Sequence, residues 1–348
     1  MLAPATVAAK MNLFTIPAIF TMTMLTFRMH SLLWVYVGIG SMLGATFGTV
    51  PSDLEVHART PWGKALRSAF IICMIRILGW AALIGAILLM PENFGLPAFG
   101  FGAGIVILWM IYLRSGNLWL LEKIRLTGPA PQRLQKIAGD VAARMQTPFR
   151  KVLVMHVQQI AQAYAFISSR TVVFTERLLE ILPDDELATV CAHELAHLKE
   201  PWHQVYLRFL PGSWLLPWIF YKPAVNMAGP FGLYLLWIVT LALPYLSVRM
   251  SRKNEASADN MVLANEADPG TYARALMMLY KDNLFPAVYR GSLVTHPHLY
   301  DRMLAAGITP DFTRPDPPKS MSWHGKVFEI MMWVSFAIFI IRTNIVFD

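Results

Sequence analysis

His193-Glu194-Leu195-Ala196-His197 places two imidazoles four residues apart, with a carboxylate between them. On an α-helix, residues i and i+4 stand one above the other on one face. Both rings then reach a single Zn²⁺ at about 2.0–2.1 Å. Glu194, one residue along from the first histidine, is placed to act as general base toward a water at that metal without being a ligand itself. The flanking residues supply the helix. Pro183-Asp184-Asp185-Glu186 is a start signal with acids in the first turn, and Pro201 ends the run.

A catalytic zinc needs a third protein ligand and an open position. Two residues compete for the third place. His203 lies six residues after His197, but the arrangement that uses such a histidine needs a glycine to turn the chain back, and Glu200 and Pro201 stand there instead. Glu255 is the better candidate. It lies in Arg252-Lys253-Asn254-Glu255-Ala256-Ser257-Ala258-Asp259, a segment of helical character with Arg252, Glu255 and Asp259 on one face. Asp259, one turn on, is suited to accept the free ring N–H of a ligating histidine and fix its tautomer. Without the histidine pair upstream, this segment would read as a solvated charged helix. Cys191 lies two residues before His193, and i and i+2 point apart on a helix, so it is not expected to ligate.

The elements around these residues have an unusual composition. Of 348 residues, 55% are hydrophobic and only 15% charged, with a mean hydropathy of +0.45. This excludes disorder and argues against a purely soluble enzyme. Two cysteines exclude a disulfide scaffold. The net charge of +8 fits basic loops beside a membrane better than a nucleic-acid site, so a lipid bilayer and no nucleic acid are expected as partners.

Apolar stretches run over 11–27, 32–50, 69–90 and 96–113, against about 20 residues for a spanning helix. The first is short, and Arg28 follows it with no cleavage site, so it reads as an uncleaved anchor. Arg76 sits inside the third, within snorkelling reach of one end. Residues 114–208 are polar again. A second apolar zone, 209–247, reads as a helical hairpin turning near Lys222–Gly229. Residues 248–325 are polar, and 326–348 carry a last apolar run that spans or lies at the interface. The expected domains are therefore 1–113 with about four spans, 114–208 as a catalytic segment, 209–247 as a membrane hairpin, 248–325 as a second catalytic segment, and 326–348 as a C-terminal span or interfacial helix. The β-rich runs Lys151–Val157 and Thr171–Phe174 place a short sheet before the zinc helix. An exposed edge of that sheet is suited to an extended peptide. The fold class expected is a mostly α, multi-pass membrane helical bundle with a small α+β zincin-type catalytic domain.

His193 and Glu255 must meet at one metal, so the chain between them crosses the membrane an even number of times. One hairpin in 209–247 satisfies this. Arg114, Lys123, Arg125, Arg249, Arg252 and Lys253 then mark the face of the site as cytoplasmic, in a cell or inner membrane. Arg28 is the one mild conflict.

Several blocks together resemble the M48 zinc metallopeptidases, among them the HtpX-type membrane proteases. Gln162-Ala163-Tyr164-Ala165-Phe166 resembles the family's segment before the zinc helix. Thr171-Val172-Val173-Phe174-Thr175 resembles its strand. Asp185-Glu186-Leu187 through His197 resembles its zinc helix. Arg252, Glu255, Ala258 and Asp259 match its third-ligand block, and Thr295-His296-Pro297 with Arg302 match a late block. The resemblance covers about Lys151 to Arg302. It implies one Zn²⁺ per chain on His193, His197 and Glu255, with Glu194 activating water. It further implies that His296 stabilises the oxyanion or holds substrate, that Asp259 and Arg302 brace the site, and that Gln162 and Tyr164 contact substrate. Gln162 replaces the family's usual asparagine, and its extra methylene changes the reach of that amide. The implied activity is hydrolysis of protein or peptide substrates, membrane proteins included. The competing reading is a non-catalytic membrane transporter or scaffold with a structural zinc. A structural site has no use for Glu194.

Overall fold

The computed structural model describes residues 61–63, 85–112, 117–201, 216–288 and 298–316, with scattered positions between 66 and 82. The expected spans 11–27, 32–50 and 327–341, most of the span 69–90, and Arg76, His203 and His296 lie outside the described residues. The chain divides into two compact units, one formed by 1–102, 216–237 and 318–348, the other by 103–215 and 238–317.

Among the described residues, the helices in chain order are α1 (Leu96–Ile111), α2 (Asn117–Lys123), α3 (Gln132–Met145), α4 (Glu176–Ile181), α5 (Asp184–His197), α6 (Tyr221–Ala228), α7 (Pro230–Leu263), α8 (Thr271–Asp282) and α9 (Leu299–Ala305). The strands are β1 (Thr127–Pro129), β2 (Lys151–Met155), β3 (Ala163–Phe166) and β4 (Thr171–Thr175). The described part is thus mostly helical with one small mixed sheet. No helix among the described residues is long and apolar enough to cross a membrane.

The sheet order is β1-β2-β4-β3, with β2 and β4 parallel and the two outer pairs antiparallel. β4 reads Thr-Val-Val-Phe-Thr, and all five residues are buried. A strand covered on both faces needs such a continuous β-branched and aromatic run. Alternation divides its side chains. Val172 and Phe174 enter the main core with Leu134, Val141, Leu187, Cys191 and Leu195 from α3 and α5. Val173 packs with Leu118 and Leu153 in a smaller cluster. β3 is an edge strand and half-buried.

α3 buries Leu134, Ala138, Val141, Ala142 and Met145, a helical spacing that makes one apolar stripe. It stops where Gln146 takes a left-handed conformation. α5 starts after Pro183, with Asp184, Asp185 and Glu186 in its first turn against the positive end of the helix dipole. Arg133 of α3 pairs with Asp184 there. From Glu186 to His197 nearly every residue of α5 is buried. Such a helix is enclosed by its neighbours, so its two histidines look into a core position.

In the first unit, the residues expected to form a turn, 222–229, are mainly the helix α6, and the break comes at Gly229 (φ 53°, ψ −135°). Only glycine adopts that conformation without strain. The start of α7 then lies against α6: a Cβ on Gly232 would stand 2.1 Å from the carbonyl oxygen of Ala224. α7 continues without interruption for 34 residues, through the boundary expected at 247/248. The change from apolar to charged sequence leaves backbone hydrogen bonding untouched, and residues 245–263 contain no glycine or proline to stop the helix.

Candidate metal centre

The site lies wholly within the second unit. α5 presents His193 and His197 one turn apart, both buried. α7 presents Glu255, also buried. His193 Nε2 lies 3.2 Å from His197 Nε2. The Glu255 carboxylate faces both rings, with Oε2 3.3 Å from His193 Nε2 and Oε1 3.5 Å from His197 Nε2. A tetrahedral zinc with arms of about 2.0–2.1 Å has ligand-to-ligand edges of about 3.3–3.4 Å. Two imidazole nitrogens and a carboxylate, spaced in this way, fit zinc with one position left for water or substrate. Among the described residues this is the one group of three or more His, Cys, Asp or Glu side chains arranged to hold a metal ion.

The second nitrogen of each histidine lies beside a carboxylate. His197 Nδ1 is 2.6 Å from Glu200 Oε1, and the Asn254 amide donates to Glu200 Oε2 at 3.1 Å. Glu200 therefore occupies the place where a third-histidine arrangement would need glycine, and it serves the ring of His197. His193 Nδ1 lies 3.1 Å from Asp259 Oδ1 and 2.9 Å from the Tyr272 hydroxyl. Arg302 on α9 closes on Asp259 with two donors, Nε to Oδ2 at 2.8 Å and Nη2 to Oδ1 at 2.7 Å. Burial disfavours the Asp259 charge, but His193 and Arg302 outweigh it and hold the carboxyl well below the usual carboxylate range.

For His193 in the metal-free protein, burial likewise disfavours the charged ring, but the bonds to Asp259 and Glu255 win and push it up to about 10. This folded value exceeds the unfolded one of about 6.5. The resulting stabilisation is fully present below about pH 6.5 and is lost as pH rises through about 10. The stability of the metal-free protein, read by chemical denaturation, is therefore expected to fall over that window, and added zinc to reverse the trend. A flat profile would show that His193 is not held protonated.

Glu194 is buried next along α5. Its charge reaches Tyr164, whose hydroxyl is pushed up first by burial and then by Glu194. The Tyr164 hydroxyl donates to Gln162 Oε1 at 2.8 Å. Gln162 is tied to the end of β4, its N–H donating to Thr175 Oγ1 and its carbonyl accepting from Thr175 N–H, both at 2.9 Å. The Tyr164 hydroxyl thus lies within the field of Glu194 and is tied to Gln162. Cys191, with its thiol pushed up to about 12 by burial, sits in the main core away from the ligand set.

Three contributors were not singled out from the sequence: Tyr272, Glu200 and Asn283. The Asn283 amide donates to the Ala161 carbonyl at 2.8 Å, and its oxygen accepts from Ala161 N–H at 2.9 Å. This clamp fixes the residue before Gln162 from the end of α8. Nothing local marks it, because its partner lies 122 residues away. Asn283→Leu should destabilise the protein by about 2–3 kcal/mol, since two buried backbone groups lose their partners. Denaturant unfolding reads this, and a change below about 0.5 kcal/mol would show that the clamp contributes little.

The family model described as peptidase family M48 matches residues 130–307, just over half of the chain and the whole of this site. The chain belongs to peptidase family M48. A protein named "Protease HtpX homolog 1" from Sulfolobus acidocaldarius is 31% identical over 108 residues, 30% of this chain and 34% of that protein. A "Protease HtpX homolog" from Nostoc punctiforme is 31% identical over 170 residues, 44% of this chain and 57% of that protein. The match spans between about a third and three-fifths of the length of these curated relatives. Membership in a metallopeptidase family agrees with a donor set suited to zinc. The described residues are mostly helical, with a short sheet beside the helix that carries the histidines.

Proposed function

We propose that this chain is a membrane-embedded, zinc-dependent endopeptidase that hydrolyses peptide bonds of protein substrates at the cytoplasmic face. The observation that carries the reading is the convergence of His193, His197 and Glu255 on one zinc-sized point, with Glu194 next along the same helix. When bound there, zinc polarises the scissile carbonyl and lowers the pKa of water toward 7.

The chain's own residues do the rest. Glu194 takes the proton of the attacking water and delivers it to the leaving amine nitrogen. Asp259, held by Arg302, orients His193, and Glu200 orients His197. Gln162 and Tyr164 hold the substrate backbone beside Glu194, with β3 as the edge along which an extended peptide lies. His296 supports the oxyanion or holds the substrate. Membrane embedding is supported by the 55% hydrophobic composition and the apolar stretches, and the cytoplasmic face by the basic residues flanking them. The substrates are protein or peptide chains, either misfolded membrane proteins or a dedicated peptide.

Removal of the metal tests the reading. The detergent-purified protein should cleave an unfolded model protein, lose the activity to a zinc chelator, and regain it on addition of zinc. Zinc bound in stoichiometric amount with no cleavage of any unfolded protein would instead favour a structural zinc in a transporter or scaffold.

A further inference from the structure

We infer that Tyr272 is a positioning residue of the metal centre, its hydroxyl accepting the Nδ1–H of His193 and so keeping the bare Nε2 turned toward zinc. The inference rests on the zinc-peptidase reading and adds a residue to it.

Tyr272 stands at the start of α8, 2% exposed, and its hydroxyl has three close polar neighbours. These are Asp259 Oδ1 at 2.6 Å, Arg302 Nη2 at 2.6 Å and His193 Nδ1 at 2.9 Å. A phenol has one proton to donate and two lone pairs with which to accept. Arg302 can only donate, so it uses one lone pair. Asp259, ion-paired with Arg302 through two bonds, is an ionised carboxylate and can only accept, so it takes the phenol proton. The second lone pair is left for His193, whose Nδ1 must then carry a hydrogen.

This selects one tautomer. A neutral imidazole with hydrogen on Nδ1 has none on Nε2, and Nε2 is the atom that faces His197 and Glu255. Asp259 alone sets the tautomer less firmly, because its Oδ1 lies farther from Nδ1 and already accepts from Arg302 and Tyr272. The two rings also lie nearly parallel, 24° apart with centroids 6.0 Å from each other, so the phenol limits tilting of the imidazole. The Arg302 guanidinium carbon lies 5.7 Å from the centroid of the phenol ring. The hydroxyl thus joins α5, α7, α8 and α9 at one oxygen.

The test is zinc affinity by chelator competition on the detergent-purified full chain, for wild type and Tyr272→Phe, with thermal unfolding recorded beside it. Tyr272→Phe keeps the ring and removes only the hydroxyl. Zinc affinity is expected to fall about 10–100-fold, the usual effect of losing a partner behind a ligating histidine. The visible spectrum of the cobalt-substituted variant should shift with it, which a role in packing alone would not produce. Equal zinc affinity and an unshifted cobalt spectrum in Tyr272→Phe would overturn the inference. If Tyr272→Phe does not fold, p-aminophenylalanine placed at position 272 decides. It keeps the volume and the donor toward Asp259 but accepts poorly from His193, so a zinc affinity below that of the wild type is expected, and the wild-type affinity overturns the role. Failure of the wild type itself to bind zinc would sink the zinc reading beneath, a result distinct from equal binding by the two proteins.

Discussion

Glu194→Gln should keep its zinc and lose turnover by about 10²–10⁴-fold, the usual contribution of a positioned general base. The substitution is nearly isosteric, and the three ligand side chains are untouched. The amide has no basic oxygen to take a proton from water, nor an acid to return one to the departing amine. Because Glu194 is buried on a helix whose neighbours are fully packed, the substituted side chain stays where the carboxylate was. The measurement is cleavage of an unfolded model protein by purified wild type and variant, with metal analysis of both. Cleavage by the wild type alone, at equal zinc content, is the expected result. Equal cleavage by both proteins would point to a contaminant or to a different reacting group, and the mechanism proposed here would fall.

Loss of the third ligand should be as large and of a different kind. Glu255→Ala removes one of three donors from a buried group whose donor atoms lie within metal-binding reach of one another. Two imidazoles alone leave the metal weakly held, so the variant should be purified without zinc and without activity. The drop in affinity should exceed the 10–100-fold that a supporting carboxylate is worth. His203→Ala should retain full zinc, since Glu200, close after His197, is already engaged with the His197 ring. Metal content that is preserved in Glu255→Ala and lost in His203→Ala would reverse the ligand assignment. The pair of variants separates the two outcomes in one set of purifications.

Part of this site was legible because it is local. The spacing of His193 and His197 fixes their shared face once the segment is helical, and Pro183 and the three acids that follow mark where the helix starts. The same logic found Glu255 and Asp259, which stand one turn apart on α7. The β-branched runs gave β2 and β4 nearly to their ends. The extent of α7 is not marked in this way. The sequence shows where polarity changes, but a helix ends only where backbone hydrogen bonding is interrupted, so α7 passes from apolar to charged residues unbroken.

What the sequence by itself determined is the chemistry on offer: two imidazoles on one helical face, a carboxylate beside the first, and a carboxylate pair on a second helix. Only the tertiary structure decided which side chains finish the site. Tyr272 reaches His193 across 79 residues, Arg302 reaches Asp259 across 43, and Asn283 clamps Ala161 across 122. A tyrosine, an arginine and an asparagine on three helices carry no local mark of these partners. Their roles arise because a buried nitrogen or oxygen must find a partner, and packing alone determines which one is within 3 Å.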